Sequence, residues 1–91
     1  MIIYKYPLDV GEIMEFNWPS SKILLVALDK KTGKSCMWVE HYASPETAQY
    51  RDKRKFVVKA TGEQFSGLEN LMHVASWQNF PFVWHLYEVM R

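Results

Sequence analysis

The alternation of apolar and polar positions predicts β-strands along most of the chain. Met14, Phe16 and Trp18 alternate with Glu15 and Asn17, a period of two that is typical of a half-buried strand. Segments 2–6, 35–42 and 54–61 are also rich in the β-branched and aromatic residues that favour strands. The last twelve residues, 80–91, are so aromatic that we expect a strand buried in the protein's own core.

Segment 22–29 holds a continuous apolar run from position 23 to position 28, which predicts a central strand covered on both faces. The following residues, 29–34, predict a hairpin loop. Gly33 is placed to adopt the left-handed conformation that closes a type I turn with a bulge. Strand 35–42 would then return beside strand 22–29.

Two segments leave alternatives open. Residues 43–50 contain Ser44 followed by Pro45, which favours one helical turn, although a loop fits nearly as well. Residues 68–77 fit both helical spacing and strand alternation. We favour a strand over 70–77, because residues 78–81 resemble a tight connection into the last strand, and we expect a loop at 62–67.

These elements predict a single domain spanning residues 1–91, mainly β with an α+β fold as the alternative. We expect a single antiparallel sheet, a barrel or a sandwich of about six to seven strands with at most one short helix. A composition of 48% hydrophobic and 15% aromatic residues excludes intrinsic disorder. With no signal peptide, no membrane-length apolar run and one cysteine, we expect a soluble cytoplasmic protein.

The residue types that carry chemistry are sparse. His41, His73, His85 and Cys36 show no metal-binding spacing, and the four glycines are too scattered to form a phosphate loop. We therefore predict no catalytic residues, no metal, no cofactor and no enzymatic activity.

Charge is concentrated in the middle of the chain. Residues 22–59 carry nine Lys or Arg against four carboxylates, whereas the net charge of the whole chain is +1. Such a segment either binds an anionic partner or is simply a charged hairpin tip and loop exposed to solvent. The candidate binding residues are Lys30, Lys31, Lys34, Tyr50, Arg51, Lys53, Arg54 and Lys55.

Several segments together resemble a family of small uncharacterised proteins of bacteriophages and prophages. They are Ile3-Tyr4-Lys5-Tyr6-Pro7-Leu8, Lys22-Ile23-Leu24-Leu25-Val26, Cys36-Met37-Trp38-Val39, Ala60-Thr61-Gly62 and Phe82-Val83-Trp84-His85-Leu86-Tyr87-Glu88. The resemblance implies phage origin and a β-rich fold, and it supplies no catalytic residues. The chain departs from the family pattern at 43–53 and 63–79.

The leading hypothesis is a non-enzymatic accessory protein in the cytoplasm of a bacterial host, which inhibits a host or anti-phage defence factor by steric occlusion. The alternative is an oligomeric sponge for a nucleotide signal, or a weak nucleic-acid-binding module that uses the basic middle segment and aromatic residues. A third possibility is a homodimer, in which strand 2–6 or strand 82–89 pairs with its symmetry mate at a sheet edge. None of these hypotheses involves a membrane.

Overall fold

A computed structural model describes residues 1–64, 67–68 and 70–90 of the chain. The described residues form seven strands and no helix, which confirms the mainly β prediction over the α+β alternative. The strands are β1 (Ile2–Pro7), β2 (Met14–Trp18), β3 (Ser21–Asp29), β4 (Lys34–His41), β5 (Asp52–Ala60), β6 (Leu71–Asn79) and β7 (Phe82–Val89). No helix in these described ranges is long and apolar enough to cross a membrane.

The strands form two antiparallel sheets that pack face to face as a sandwich and do not close into a barrel. The first sheet has the order β1-β4-β3, and the second has the order β2-β5-β7-β6. Strand alternation sends one face of each sheet towards the other sheet. The sandwich alternative of the fold prediction is therefore the correct one.

The core lies between the two sheets. Met37 and Val39 on β4 pack against Phe56 and Val58 on β5 and Leu86 on β7, and each of these side chains is almost fully buried. Burying a large apolar side chain stabilises a fold by about 1.5–3 kcal/mol relative to leaving it in water. The expectation that residues 80–91 form a buried strand is confirmed only in part: β7 is a strand and Leu86 is buried in the core, whereas Phe80, Phe82 and Val83 are exposed. Arg91 lies outside the described residues.

Strand β3 is an edge strand, so the prediction of a central strand at 22–29 is wrong. A β-bulge lies between Ile23 and Leu25 in its pairing with β4. Leu24 and Leu25 are 44% and 53% exposed, and their side chains therefore lie on solvent-facing surface. An apolar run predicts burial on both faces only if the strand keeps its alternation and has a neighbour on each side.

Strand β7 lies between β5 and β6, so it has no free edge to offer a symmetry mate. The suggestion that segment 82–89 forms a dimer edge is therefore wrong, whereas β1 does lie at the edge of its sheet. Aromatic and β-branched residues are enriched in edge and interior strands alike, so composition cannot distinguish the two positions.

The predicted connections are largely confirmed. The Gly33 N–H donates to the Asp29 carbonyl at 2.8 Å, and Gly33 has a φ of 74°, as expected for the hairpin turn. Residues 43–50 form no helix; they are a loop that contains one isolated helical turn, in which the Ala48 N–H donates to the Ser44 carbonyl at 2.9 Å. Strand β6 confirms the strand alternative for 70–77. The loop predicted at 62–67 includes Phe65 and Ser66, which lie outside the described residues.

Candidate functional site

The structure places the two basic segments at opposite ends of the sandwich. Lys30, Lys31 and Lys34 are exposed on the β3–β4 hairpin, where β4 begins. Segment 50–55 lies near the other end of β4, since Asp52 pairs with Trp18 and the Trp18 ring is 5.4 Å from that of His41. A strand rises about 3.3 Å per residue, so the length of β4 separates the two segments by about 23 Å. They do not form one basic patch.

Arg51 fastens the β4–β5 connection to the sheet. Its guanidinium donates to the carbonyls of Pro45, Ala48 and Asn17, with distances of 3.1 Å to each of the last two. Because its guanidinium is already bound to three backbone carbonyls, Arg51 stabilises the loop and has few donors left for a binding partner. Tyr50 beside it is 75% exposed.

Arg54 faces the interior, whereas its neighbours Lys53 and Lys55 face solvent. Its Nε and Nη2 atoms each donate to a carboxylate oxygen of Glu88 at 2.8 Å, and the guanidinium lies over the rings of Trp18 and Phe56. The hydrogen bonds to Glu88 raise the pKa of Arg54. Arg54 therefore belongs to the packed structure rather than to a binding surface.

Beside the lysine hairpin lies an aromatic hairpin tip that the sequence analysis missed. Phe80 is 88% exposed and Phe82 is 48% exposed, on either side of Pro81 in the β6–β7 turn. Residues 78–81 were expected to be only a tight connection. The available signal was the position of the aromatics, because side chains at the tip of a short hairpin project beyond the sheet and away from its core.

The two tips are joined at their bases. The Trp77 Nε1–H donates to Ser35 Oγ at 2.7 Å, and Asn79 Nδ2 donates to the same oxygen at 3.3 Å. Trp84 Nε1 donates to the Asn79 carbonyl at 3.2 Å. The two bonds to Ser35 connect β4 of the first sheet to β6 of the second, and the bond from Trp84 joins β7 to β6 within the second sheet, so the tips are held in a fixed relative position.

A cleft of about 270 Å³ lies at the bases of the two tips, beside the connection between β1 and β2. Its deeper walls include the buried Leu8, Val58 and Trp77 and the half-buried Trp84, while its rim includes the exposed Val10, Asp9 and Lys34. The cleft therefore offers a partner both apolar and polar groups, the latter including Asp9, Lys34, Ser35 and Asn79.

The charge of the lysine hairpin is not balanced by its own carboxylate. Asp29 accepts hydrogen bonds from Lys5 Nζ at 2.6 Å, from the Lys31 N–H at 3.1 Å and from Thr32 Oγ1 at 3.2 Å. The hydrogen bond from Lys5 lowers the pKa of the Asp29 carboxyl. Because Lys5 and the turn already engage this carboxylate, the hairpin lysines present positive charge outwards.

The histidines and the cysteine lie in separate places. His41 is fully buried in the first sheet, whereas His73 and His85 lie on the second sheet. Cys36 is 2% exposed, and burial raises the pKa of its thiol. Within residues 1–64, 67–68 and 70–90, no three His, Cys, Asp or Glu side chains group closely enough to hold a metal ion.

Comparison with known proteins gives a family assignment. A family model described as Domain of unknown function (DUF7352) matches residues 1–91, so the chain belongs to this family. Neither the curated proteins nor the solved structures gave a match. Membership confirms that the chain belongs to an uncharacterised family.

Proposed function

We propose that this chain is a non-enzymatic phage accessory protein that binds a bacterial host or anti-phage defence protein and inhibits it by steric occlusion. The observation that carries the proposal is the pairing of an exposed aromatic tip with a lysine-bearing tip on a rigid base. We call this end of the sandwich, residues 30–34 and 80–83 with the cleft at their bases, the two-tip surface.

The aromatic tip supplies the binding energy in this proposal. Burying an exposed Phe side chain against a partner is worth about 1.5–3 kcal/mol, and large aromatic anchors often dominate interfaces. Phe82 is already packed edge-on against Trp84, with ring centroids 5.4 Å apart. A side chain held in place before binding loses less conformational freedom on association.

The lysine tip defines the chemistry of the partner. Lys30, Lys31 and Lys34 favour a partner surface that carries carboxylates around an apolar pocket. Such complementarity accelerates association and excludes partners with a basic rim. The inhibited site is then one that works on cationic or apolar ligands, because the two-tip surface imitates both features.

The resemblance to phage and prophage proteins supports a viral origin. The segments that carry the resemblance at the two ends of the chain lie in β1 and β7, which build the fold, so they account for kinship rather than for partner choice. The unpaired Cys36 suits the reducing cytoplasm of a bacterial host.

The proposal is tested by capture from bacterial host lysate with the wild type and with a Phe80→Ser/Phe82→Ser variant. We expect the wild type to retain a host protein at high salt and the variant to lose it. Purified partner should then be inhibited completely at equimolar amounts, as expected for occlusion without turnover.

The matched control is Tyr42→Ser/Tyr50→Ser, which removes two aromatic side chains that are 51% and 75% exposed away from the two tips. This control should keep the partner, and both variants should melt within a few degrees of the wild type. Retention of the partner by the phenylalanine variant, or its loss in the tyrosine variant, would contradict the proposal.

A further inference from the structure

The free edge of β1 differs from the other sheet edges of this fold. Strands β1 and β3 lie at the edges of the first sheet, and β2 and β6 lie at the edges of the second. Bulges interrupt the pairing of β3 and of β6, and β2 is the shortest of the seven strands, with five residues. Bulges and short strands are devices that protect an edge from another strand. Strand β1, by contrast, pairs with β4 without a register shift from Ile2 to Pro7.

The hydrogen-bonding groups of β1 divide between β4 and this free edge. The Leu8 N–H donates to the Ser35 carbonyl of β4 at 2.9 Å. In an antiparallel pair, every second residue directs its N–H and C=O towards the neighbouring strand. The register of β1 with β4 therefore directs the even-numbered residues to β4, and it directs Ile3 and Lys5 to the free edge. The backbone groups of these two residues remain open to another strand.

Two residues of β1 are of types that discourage pairing at an edge, yet neither blocks it. A lysine protects an edge by carrying its charge into the approaching strand. The Lys5 Nζ lies 2.6 Å from an Asp29 carboxylate oxygen, so its charge is already compensated. Pro7 has no N–H to donate, but it is the last residue of the strand and only marks where pairing ends.

We propose that the free edge of β1 binds β1 of a second copy of this chain, so that two three-stranded sheets join into one antiparallel sheet. A twofold axis relates the copies, as in most homodimers. Ile3 of each copy pairs with Lys5 of the other, which uses the free N–H and C=O groups of both residues in both chains. Tyr4 then lies at the axis, opposite Tyr4 of the second copy.

Charge makes the edge complementary to itself in this register. A register that paired Lys5 with Lys5 of the second copy would set two ammonium groups side by side. In the proposed register Lys5 lies opposite Ile3, and Glu40 of β4 is the next residue across the sheet. Among the described residues, Glu40 forms no ion pair within its own chain. Two strand spacings separate the backbones by about 10 Å, so the ends of these long side chains come within a Debye length of about 8 Å.

The side chains along this edge gain from being covered. Ile2 and Ile3 are 40% and 56% exposed, and Tyr4 is half-buried with its ring edge-on to that of His41 at 5.6 Å. Aromatic and β-branched side chains stabilise each other across paired strands. One six-residue strand covers less than the standard interface of about 1,200–2,000 Å². We therefore expect a reversible dimer whose population depends on protein concentration.

The dimer leaves the two-tip surface free. Pro7 ends β1 beside that surface, because the next residue, Leu8, binds Ser35 and lines the cleft there. Antiparallel pairing of two β1 strands sends these ends in opposite directions. Each copy thus keeps its own two-tip surface, and the inference does not depend on the proposed function.

The test is analytical ultracentrifugation at protein concentrations from about 1 μM to about 1 mM, the range of weak interfaces. The wild type should pass from monomer to dimer within it. Ile3→Lys sets a second lysine opposite Lys5 of the other copy, whereas Ile3→Glu sets a carboxylate there, and both remove the same exposed side chain. The dimer Kd of Ile3→Lys should exceed that of Ile3→Glu by about tenfold or more, and high salt should narrow the difference.

Ile3→Pro tests the backbone contribution. It removes an N–H that faces the free edge and leaves the hydrogen bonds to β4 intact, so it should raise the dimer Kd about fivefold or more. The melting temperature of each variant, measured at low concentration, should lie within a few degrees of the wild type.

The matched control is Leu25→Lys, at an exposed residue of β3 on the other edge of the same sheet, and it should dimerise as the wild type does. Phe80→Ser/Phe82→Ser should also dimerise normally, and Ile3→Lys should still retain the captured host protein. These two results separate the dimer from the proposed function.

Three results would overturn the inference. They are a wild type that stays monomeric at about 1 mM, equal dimer Kd values for Ile3→Lys and Ile3→Glu at low salt, and equal weakening by Leu25→Lys and Ile3→Lys. The last result would assign the contact to the outer faces of the sheets instead of their edges.

Discussion

At the residue scale, Arg54 shows how a charged side chain becomes part of a core. Both ends of its guanidinium fork bind the Glu88 carboxylate, whose side chain is only 9% exposed, and two aromatic rings lie against the cation. Bidentate geometry of this kind gives a strong, directional pair. Both charges can lie at this largely buried place because each one compensates the other where little water reaches.

Replacing Arg54 by Met should leave Glu88 as an uncompensated charge in a nearly dry site. We expect the free energy of unfolding, measured in urea, to fall by about 3–5 kcal/mol. In the control, Lys53→Met at the adjacent exposed position should change it by no more than about 0.5 kcal/mol.

The double variant Arg54→Met/Glu88→Met removes both charges and should recover part of the lost stability, because no charge is then left unpaired. Equal effects of Arg54→Met and Lys53→Met would show that the pair contributes nothing to the fold.

The sequence contained part of this information. Strand alternation already requires Arg54 to face away from Lys53 and Lys55, so grouping the three as one basic cluster ignored the strand that the same residues predict. The sequence could not show that Glu88 is the ion-pair partner of Arg54. Glu88 lies 34 positions away, and the pairing depends on how β5 and β7 are aligned. Local pattern carries no information about that alignment.

At the element scale, His41 joins all three strands of the first sheet. Tyr6 of β1 lies with its hydroxyl 2.8 Å from His41 Nε2, and Ser21 Oγ of β3 lies 2.5 Å from His41 Nδ1. Ser21 also donates to the Pro19 carbonyl at 2.6 Å. A neutral imidazole completes this chain: Tyr6 donates to Nε2, and the Nδ1–H donates to Ser21.

Burial lowers the pKa of His41, so the native state resists a proton that the unfolded chain accepts near pH 6.5. The stability that neutral His41 provides is therefore complete above about pH 6.5 and declines as the pH falls towards the lowered value. His41→Leu should be less stable at neutral pH, because Tyr6 and Ser21 lose their partner, and should depend less on pH below neutrality.

The measurement is urea unfolding of the wild type and His41→Leu from about pH 7.5 to about pH 5. The difference in unfolding free energy between them should shrink as the pH falls. Parallel profiles would show that His41 does not titrate with folding.

Element types were predictable from pattern, whereas their positions in the sheets were not. The alternation in 14–18 and the Gly33 turn are local properties, and both predictions were confirmed. The edge position of β3 follows from the strand order of its sheet, the exposure of Leu24 and Leu25 goes with the bulge beside them, and the exposure of Phe80 depends on where the β6–β7 hairpin projects. Both depend on tertiary packing, which hydrophobic periodicity does not encode.

At the scale of the whole molecule, Ser35 holds the two sheets together at the two-tip surface. Its hydroxyl oxygen accepts from Trp77 and Asn79 of the opposite sheet, while its carbonyl accepts from the Leu8 N–H at 2.9 Å. Trp77 is 8% exposed, so its indole N–H has little access to water as a substitute partner.

Ser35→Ala should lower the unfolding free energy by about 1–3 kcal/mol, the cost of leaving a buried donor unsatisfied. If the two-tip surface binds a partner as proposed, the variant should also bind it more weakly, because the tips lose their fixed relation. Urea unfolding and titration of the partner measure the two effects.

Ser20→Ala, at an exposed serine before β3, serves as the control and should leave both quantities unchanged. A Ser35→Ala protein as stable as this control would show that the inter-sheet hydrogen bonds are dispensable.

The burial of Cys36 in the central strand of its sheet makes the chain a convenient subject for chemical labelling. It is the only cysteine in the sequence, and burial both hides its thiol and disfavours the reactive thiolate. A thiol introduced at an exposed site such as Tyr50 can therefore carry a fluorophore without first removing the native one. The rate at which a thiol reagent modifies Cys36 itself then measures how often the sandwich opens around this residue.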